Sequence, residues 1–365
     1  MTSEAASTSE QKHEFPCQAC GATLAFQPGT EHLVCSYCGH SQQIGGENEK
    51  PIQEYSFEEA KTKSSKRKLS SLVDKGTTVA CKGCGAVTVV SGTAARCPFC
   101  DAPVVLQADD SEIFLPESLL PFGVEAKKAK ELFANWVKSR WFAPSDLAER
   151  SQAKGMDGVY LPYWTYDADT RTSYTGQRGV WYYVDESYTD SQGKRQTRRV
   201  RKTRWYPAFG SVRVPFDDVL VAATKSLPRT LLEPLEPWDL GSLKGYDPAF
   251  LAGFAAERYA IDLEGGFGVA QERMDPVIRQ AICRDIGGDE QRIHGMRVQY
   301  RGVTFKHLLL PLWISSFRYG DKVYRFLVNA RTGQASGERP YSAWKITFAV
   351  LAGLVLAYVL YRMSQ

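Results

Sequence analysis

Eight of the nine cysteines fall into four C-x-x-C units, and their spacing sorts them into two sets. Fourteen residues separate Cys17-Gln18-Ala19-Cys20 from Cys35-Ser36-Tyr37-Cys38, and twelve separate Cys81-Lys82-Gly83-Cys84 from Cys97-Pro98-Phe99-Cys100. Two thiolates spaced by two residues can hold one metal ion from a tight turn whose amide N–H groups point back at the sulfurs. Gly21, Gly39 and Gly85 follow three of the units, and glycine takes the positive φ of such a turn without a Cβ clash. Two knuckles at this interval complete a tetrahedral four-thiolate site, the pattern of a structural zinc ribbon. The spacing therefore predicts one Zn2+ on Cys17, Cys20, Cys35 and Cys38, and a second on Cys81, Cys84, Cys97 and Cys100.

A disulfide framework would draw on the same cysteines. Against it, residues 1–10 are polar with no apolar signal segment, and Cys283 is left over. Both features fit a reducing compartment. Other chemistry is hard to assemble. The chain has no G-x-x-x-x-G-K-[ST] loop, no G-x-S-x-G elbow and no H-E-x-x-H helix. Its five histidines (His13, His32, His40, His294, His307) are scattered, and His32 or His40 would be needed as a ligand only if a thiolate were missing. Asp109-Asp110 and Asp217-Asp218 are sequence neighbours, which on a strand point to opposite faces and make poor catalytic dyads. Gly265-Gly266-Phe267-Gly268 and Gly287-Gly288 read as helix-flanking turns, and Cys283 as a core thiol. The expectation is a protein that is not an enzyme.

The elements that must position the thiolates are short strands and turns. Residues 1–12 read as a disordered tail and 13–45 as the first ribbon, with a strand over 23–26, a turn at 27–30 and Leu33-Val34 leading into the second knuckle. Residues 46–76 form a polar linker whose basic run (Lys61, Lys63, Lys66, Arg67, Lys68) reads as solvated. The second ribbon occupies 77–107, with a strand over 87–90 and a turn at 91–93. Residues 108–340 carry the pattern of an α+β domain with antiparallel strands. Helices are predicted over 124–141, 247–259 and 272–285, strands from Tyr160 onward and over 297–300, 307–317 and 323–328, and a hairpin turn at 329–333. Leu161-Pro162-Tyr163-Trp164-Thr165 is echoed 149 residues later by Leu310-Pro311-Leu312-Trp313-Ile314, which raises the question of internal duplication. Their tryptophans read as packing residues.

Two further stretches bear on function. Residues 346–361 carry no charge, and Lys345 and Arg362 bracket them. Sixteen helical residues span about 24 Å against a hydrocarbon core of ~30 Å, a gap that snorkelling of the flanking cations and interfacial Tyr341, Trp344 and Tyr361 would close. The reading is a single-pass C-terminal membrane anchor within 341–365, the bulk of the chain being cytoplasmic. The second stretch is an arm. Lys194, Arg195, Arg198, Arg199, Arg201, Lys202 and Arg204 fill seven of eleven positions, opposite Asp185, Glu186 and Asp190. If 180–184 and 197–206 are hairpin partners, cations leave both faces of the second strand, so the tip must project into solvent. Such an arm is either a charge-balanced ribbon or a docking surface for anionic lipid, a protein or, ranked last, nucleic acid.

Paired C-x-x-C-G knuckles, L-P-x-W strands and a terminal span resemble the bacterial membrane-anchored tandem zinc-ribbon proteins often labelled primosomal-helicase-like or transcription-factor-IIB-type. The resemblance implies two zinc ions on the eight cysteines. It also implies partners of the SPFH/flotillin-like or phage-shock-protein-A-like kind, with work in membrane stress or envelope maintenance. The helicase label does not transfer, because the P-loop is absent. Asp101 stands where the other three knuckles have glycine. The leading expectation is a non-enzymatic, membrane-anchored zinc-ribbon adaptor. The alternatives are a nucleic-acid-binding ribbon protein and a rubredoxin-like iron protein, although rubredoxins space their cysteine pairs much further apart.

Overall fold

The computed structural model describes residues 15–45, 52–61, 78–81, 84–89, 97–100, 102, 105–107, 114, 116–144, 155–189, 191–319 and 322–364. The N-terminal tail, residues 62–77 of the linker with most of its basic run, the 91–93 turn, Asp101, Asp109-Asp110 and Asp190 lie outside them.

The fold is α+β and is built on two very long antiparallel strands, β9 (Asp157–Thr189) and β13 (Glu290–Tyr319), that pair with each other. On its other edge β9 pairs with β10 (Arg195–Ala222). β13 pairs antiparallel with β14 (Lys322–Asn329), which pairs with β15 (Ala335–Gly337). The separate strands expected at 297–300 and 307–317 are thus one strand, whose register shifts between Ile293 and Gly295 and between Arg301 and Thr304. Smaller strands complete the structure: β1 (Leu24–Phe26), β2 (His32–Cys35) and β3 (Ser41–Gln43) form their own sheet, while β4 (Tyr55–Ser56), β5 (Thr78–Ala80), β6 (Val87–Val89), β7 (Val105–Gln107), β8 (Ser118–Leu119), β11 (Lys244–Gly245) and β12 (Ala255–Glu257) join the large one.

The helices are α1 (Phe57–Lys61), α2 (Ala126–Lys138), α3 (Arg229–Leu232), α4 (Leu263–Ile286) and α5 (Ala343–Met363). The linker is therefore partly folded: β4 pairs with β13 at Thr304 and Phe305, and Phe57 of α1 is buried.

The echoed motifs meet. Leu161 and Leu310 are register partners in the β9–β13 pairing. Around this point the strand pairings of the two echoed stretches correspond. β8 runs parallel to β13 at Leu308 and Leu309, and β12 runs parallel to β9 at Val159 and Tyr160, the positions 149 residues earlier. β8 and β12 start 137 residues apart (118 and 255), as do α2 and α4 (126 and 263). The indole N–H of Trp164 donates to Ile261 O (2.9 Å), and that of Trp313 donates to Val124 O (2.7 Å). Each tryptophan thereby fastens the start of the helix belonging to the other half. The two halves are interlocked.

Strand alternation sorts the layers. Tyr160, Trp164 and Tyr166 on β9 share a face with Phe305, Leu309, Trp313 and Phe317 on β13, and this face packs against α2, α4 and the first ribbon. Val159, Leu161 and Tyr163 share the opposite face with Leu308, Leu310, Leu312 and Ile314, against the second ribbon and the segment 227–243.

Two of the three helix expectations changed. α2 lies within the range read from periodicity. No helix fills 247–259: a 3-10 turn at Pro248–Leu251 ends near Gly253 (φ +87°), and Ala255–Glu257 is recruited as β12 between β9 and β6. α4 begins at Leu263, not near 272, so the glycines at 265–268 lie inside it. At Gly266 a Cβ would sit 2.4 Å from the Tyr166 hydroxyl and 2.8 Å from Cδ1 of Trp164, so close helix–sheet approach requires glycine there. Gly287 (φ +65°) does cap the helix, as the flanking-turn reading expects.

Candidate metal centres and the basic arm

Each cysteine set converges. The four sulfurs of Cys17, Cys20, Cys35 and Cys38 lie within 4.8 Å of one another, and so do those of Cys81, Cys84, Cys97 and Cys100. Cross-knuckle Sγ–Sγ separations are 3.6 Å (Cys17–Cys38), 3.5 Å (Cys20–Cys35), 3.5 Å (Cys81–Cys100) and 3.6 Å (Cys84–Cys97). Metal–thiolate bonds of about 2.3 Å in tetrahedral geometry would set these edges near 3.8 Å, so the donor sets fit an ion held by four thiolates. Among the described residues, no histidine joins either group.

The knuckles owe their shape to backbone bonds. Gly21, Gly39 and Gly85 donate to the carbonyls of Cys17, Cys35 and Cys81 at 2.8, 2.9 and 2.9 Å, with φ of +74°, +74° and +76°. Each turn is closed by its first cysteine's amide: Cys17 to Ala22 O, Cys35 to His40 O and Cys81 to Ala86 O. The fourth knuckle, where Asp101 replaces glycine, keeps the same closure, Cys97 N to Ala102 O at 2.9 Å.

The surroundings already favour thiolate at one position per set. The amides of Cys38 and Tyr37 hold Cys35 down at about 6, and the neighbouring Cys97 sulfur holds Cys84 at about 5. Cys97 is pushed far up by that same contact with Cys84 and by burial. A bound dication would hold all four sulfurs as thiolates and offset two of their four negative charges.

The two centres are set into the body differently. In the first, Cys17 and Cys35 are buried and Cys20 and Cys38 exposed. The ribbon sits on the sheet through Phe26, whose ring lies 5.3 Å from Phe250 and 6.2 Å from Phe254. Gly29 N donates to Phe122 O (2.8 Å), and Phe26 N to Ala252 O (3.0 Å). In the second, β6 pairs directly with β12 at Val89–Ala256 and Thr88–Glu257, making the ribbon part of the main sheet. Its last knuckle is clamped from the far side: Phe99 O accepts from Ser316 Oγ (3.0 Å) and Arg325 Nε (2.9 Å). Sequence spacing gave no sign of these clamps, because Ser316 and Arg325 lie more than two hundred residues away. Behind this ribbon, Glu257 is 3% exposed and accepts from Thr224 Oγ1 and Ser226 Oγ. Burial pushes its carboxyl up to about 7 against those two hydrogen bonds.

The basic arm forms as the charge pattern requires. β9 and β10 pair from Tyr163–Ala222 out to Thr189–Arg195, whereas β13 accompanies β9 only as far as Gly179. Beyond Gly179 the hairpin is a two-stranded ribbon, held at its base where Asp289 and Glu290 accept from Trp181 N and Trp181 Nε1. Four of its arginines, Arg198, Arg199, Arg201 and Arg204, lie on aromatic rings, a detail the sequence reading missed and the Trp181-Tyr182-Tyr183 run could have signalled. Arg201 stacks over Trp181 (3.9 Å), Arg199 over Tyr183 (4.7 Å) and Arg204 over Tyr182 (4.9 Å). Glu186 takes Lys202 at 2.7 Å and Arg198 at 4.0 Å. Charge is thus offset on the Glu186 face, while Arg195, Arg199 and Arg201 share the other face with Asp185. Asp217 and Asp218 are not a dyad: they fall where the β9–β10 register shifts, and Asp218 pairs with Lys306 (2.7 Å).

α5 is 21 residues long, about 31 Å, enough to cross a bilayer, and no residue of it is buried. It is longer than the uncharged 346–361 run, because Ser342 caps it by accepting from Lys345 N. The Lys345 ammonium points to the body and donates to Ala143 O (2.8 Å).

The chain is 26% identical over 344 residues to the uncharacterized protein YdjG of Bacillus subtilis (strain 168), covering 93% of this chain and 94% of that one. No family model matches the chain, and no solved structure matches it.

Proposed function

We propose that this chain is a non-enzymatic adaptor, held at the cytoplasmic face of a membrane by α5 and stiffened by two structural zinc ions. Its β9–β10 arm would serve as the contact surface for an acidic partner protein. The observation that carries the reading is the arm: a two-stranded projection beyond Gly179 with arginines laid out on aromatic rings. Arginine over aromatics is a common currency of protein interfaces, since it offers a rigid cation without a full desolvation penalty. Zinc is favoured over iron because the knuckle intervals are those of ribbons, and four thiolates without an open position are a structural set. A reducing cytoplasm would keep the thiolates available. By the resemblance stated above, SPFH/flotillin-like or phage-shock-protein-A-like proteins are the partners to look for, in membrane-stress or envelope work.

Proximity labelling of the anchored protein in its own cell, compared with an Arg195, Arg199 and Arg201→Ala triple variant, tests the reading. A protein partner lost in the variant, with membrane retention and metal content unchanged, supports it. An identical labelled set in both sinks the arm's role. Nucleic-acid binding that weakens with salt and vanishes in the triple variant would install the nucleic-acid alternative.

A further inference from the structure

α5 does not leave the body on a free tether. Ser342 N donates to Phe142 O (2.8 Å), and Lys345 Nζ donates to Ala143 O (2.8 Å), so two bonds pin the helix start to the loop that follows α2. In that same loop, just before these two acceptors, stands Trp141, 80% exposed, its ring 5.8 Å from Phe142. On the chain side of the same junction are Trp344, 78% exposed, and Tyr341, 62% exposed, with the Arg339 guanidinium 5.1 Å from the Tyr341 ring.

A largely exposed tryptophan is costly in water and ordinary at a bilayer surface, where the ring lies among headgroups and the indole N–H stays hydrated. We infer that the 139–144 loop is a second membrane contact, with Trp141 seated in the headgroup layer beside Trp344 and Tyr341. The occupant of this surface is lipid, because the surface is continuous with the one described helix long and apolar enough to span. The inference rests on the reading of α5 as a membrane span.

The consequence is orientation. A single span alone lets the body swivel, whereas a span plus a loop about 200 residues away in sequence fixes two points and holds the body at one tilt. β15 and the paired strands β13 and β14 at Trp313–Val328 lie at the Asp157 end of β9, and the far end of the β9–β10 pairing lies at its Thr189 end. Thirty-three strand residues separate those ends, at most roughly 110 Å of extended chain. A body held at one tilt would present the distant arm at a defined height and direction.

The test uses full-length protein labelled with 5-fluorotryptophan in phospholipid nanodiscs, read by 19F NMR. The Trp141 and Trp344 resonances are assigned by their loss in W141F and W344F. Lipids carrying a nitroxide near the headgroup should broaden both resonances severalfold more than that of buried Trp164, and a soluble gadolinium chelate should broaden that of Trp141 less than it does in the α5-deleted protein. If Trp344 broadens and Trp141 does not, the loop contact is wrong while the span stands. If neither broadens and the chain does not co-purify with the nanodisc, the span itself fails and this inference falls with it.

Discussion

Leu161 stands opposite Leu310 in the β9–β13 pairing, so the two L-P-x-W motifs cross at the centre of the fold. From that point each half extends a hairpin, one into the long arm and the other into β14. Each half also receives, through a tryptophan, the helix start of its counterpart.

Trp164→Phe and Trp313→Phe should destabilise the body by similar amounts. Each removes one indole donor and leaves the carbonyl of Ile261 or Val124 without it, a loss of about 1–3 kcal/mol. Urea denaturation of both variants beside W141F checks this; W141F should be close to neutral.

Two glycines of α4 should respond in opposite directions to alanine. Gly268 has open space at its Cβ position, so Gly268→Ala should gain up to about 1 kcal/mol of helix stability. Gly266→Ala would push a methyl into Tyr166 and Trp164 and should cost about 1–3 kcal/mol. Thermal melts of the two variants separate the effects, and equal shifts would contradict the close approach of helix to sheet.

Glu257 should make stability fall with rising pH. Burial raises its folded pKa from 4.5 to about 7, so between those values the folded state holds more protons than the unfolded one. Stability from this group is complete below about pH 4.5 and is lost as pH rises through about 7. Glu257→Gln should flatten that slope and stabilise the protein at pH 8 by up to roughly 3 kcal/mol. Denaturation from pH 5 to 8 measures it, and a variant less stable at pH 8 would refute the assignment.

Metal removal should loosen more than the ribbons. The second ribbon reaches the main sheet through β6–β12, so chelation should raise hydrogen exchange at Ala255–Glu257 and at Val159 and Tyr160. Exchange confined to residues 78–107 would show the ribbon to be an independent module.

The two cysteine clusters were legible in the sequence because C-x-x-C spacing is a local constraint. So were the α+β class, the charged arm and the helix within 124–141, which buries Phe133 and Val137. The fate of 247–259 was not legible. Asp247-Pro248 followed by Ala249, Phe250 and Leu251 has the look of a helix start, but pairing with β9 and β6 claimed Ala255–Glu257 as strand. The extent of α4 was hidden by its glycines and Pro276, which argue locally against a helix. What Gly266 serves is contact with Tyr166 and Trp164, about a hundred residues away. The motif echo was visible, but its meaning depended on register, which only the folded sheet reveals.

The central claim is a membrane-anchored protein carrying two zinc ions. The most direct measurement is elemental analysis of the full-length chain purified from the membrane fraction of its own cells. The account predicts that the chain is found in that fraction and contains two zinc per polypeptide, with no iron absorbance. A soluble chain, or one carrying stoichiometric iron or no metal, would contradict it.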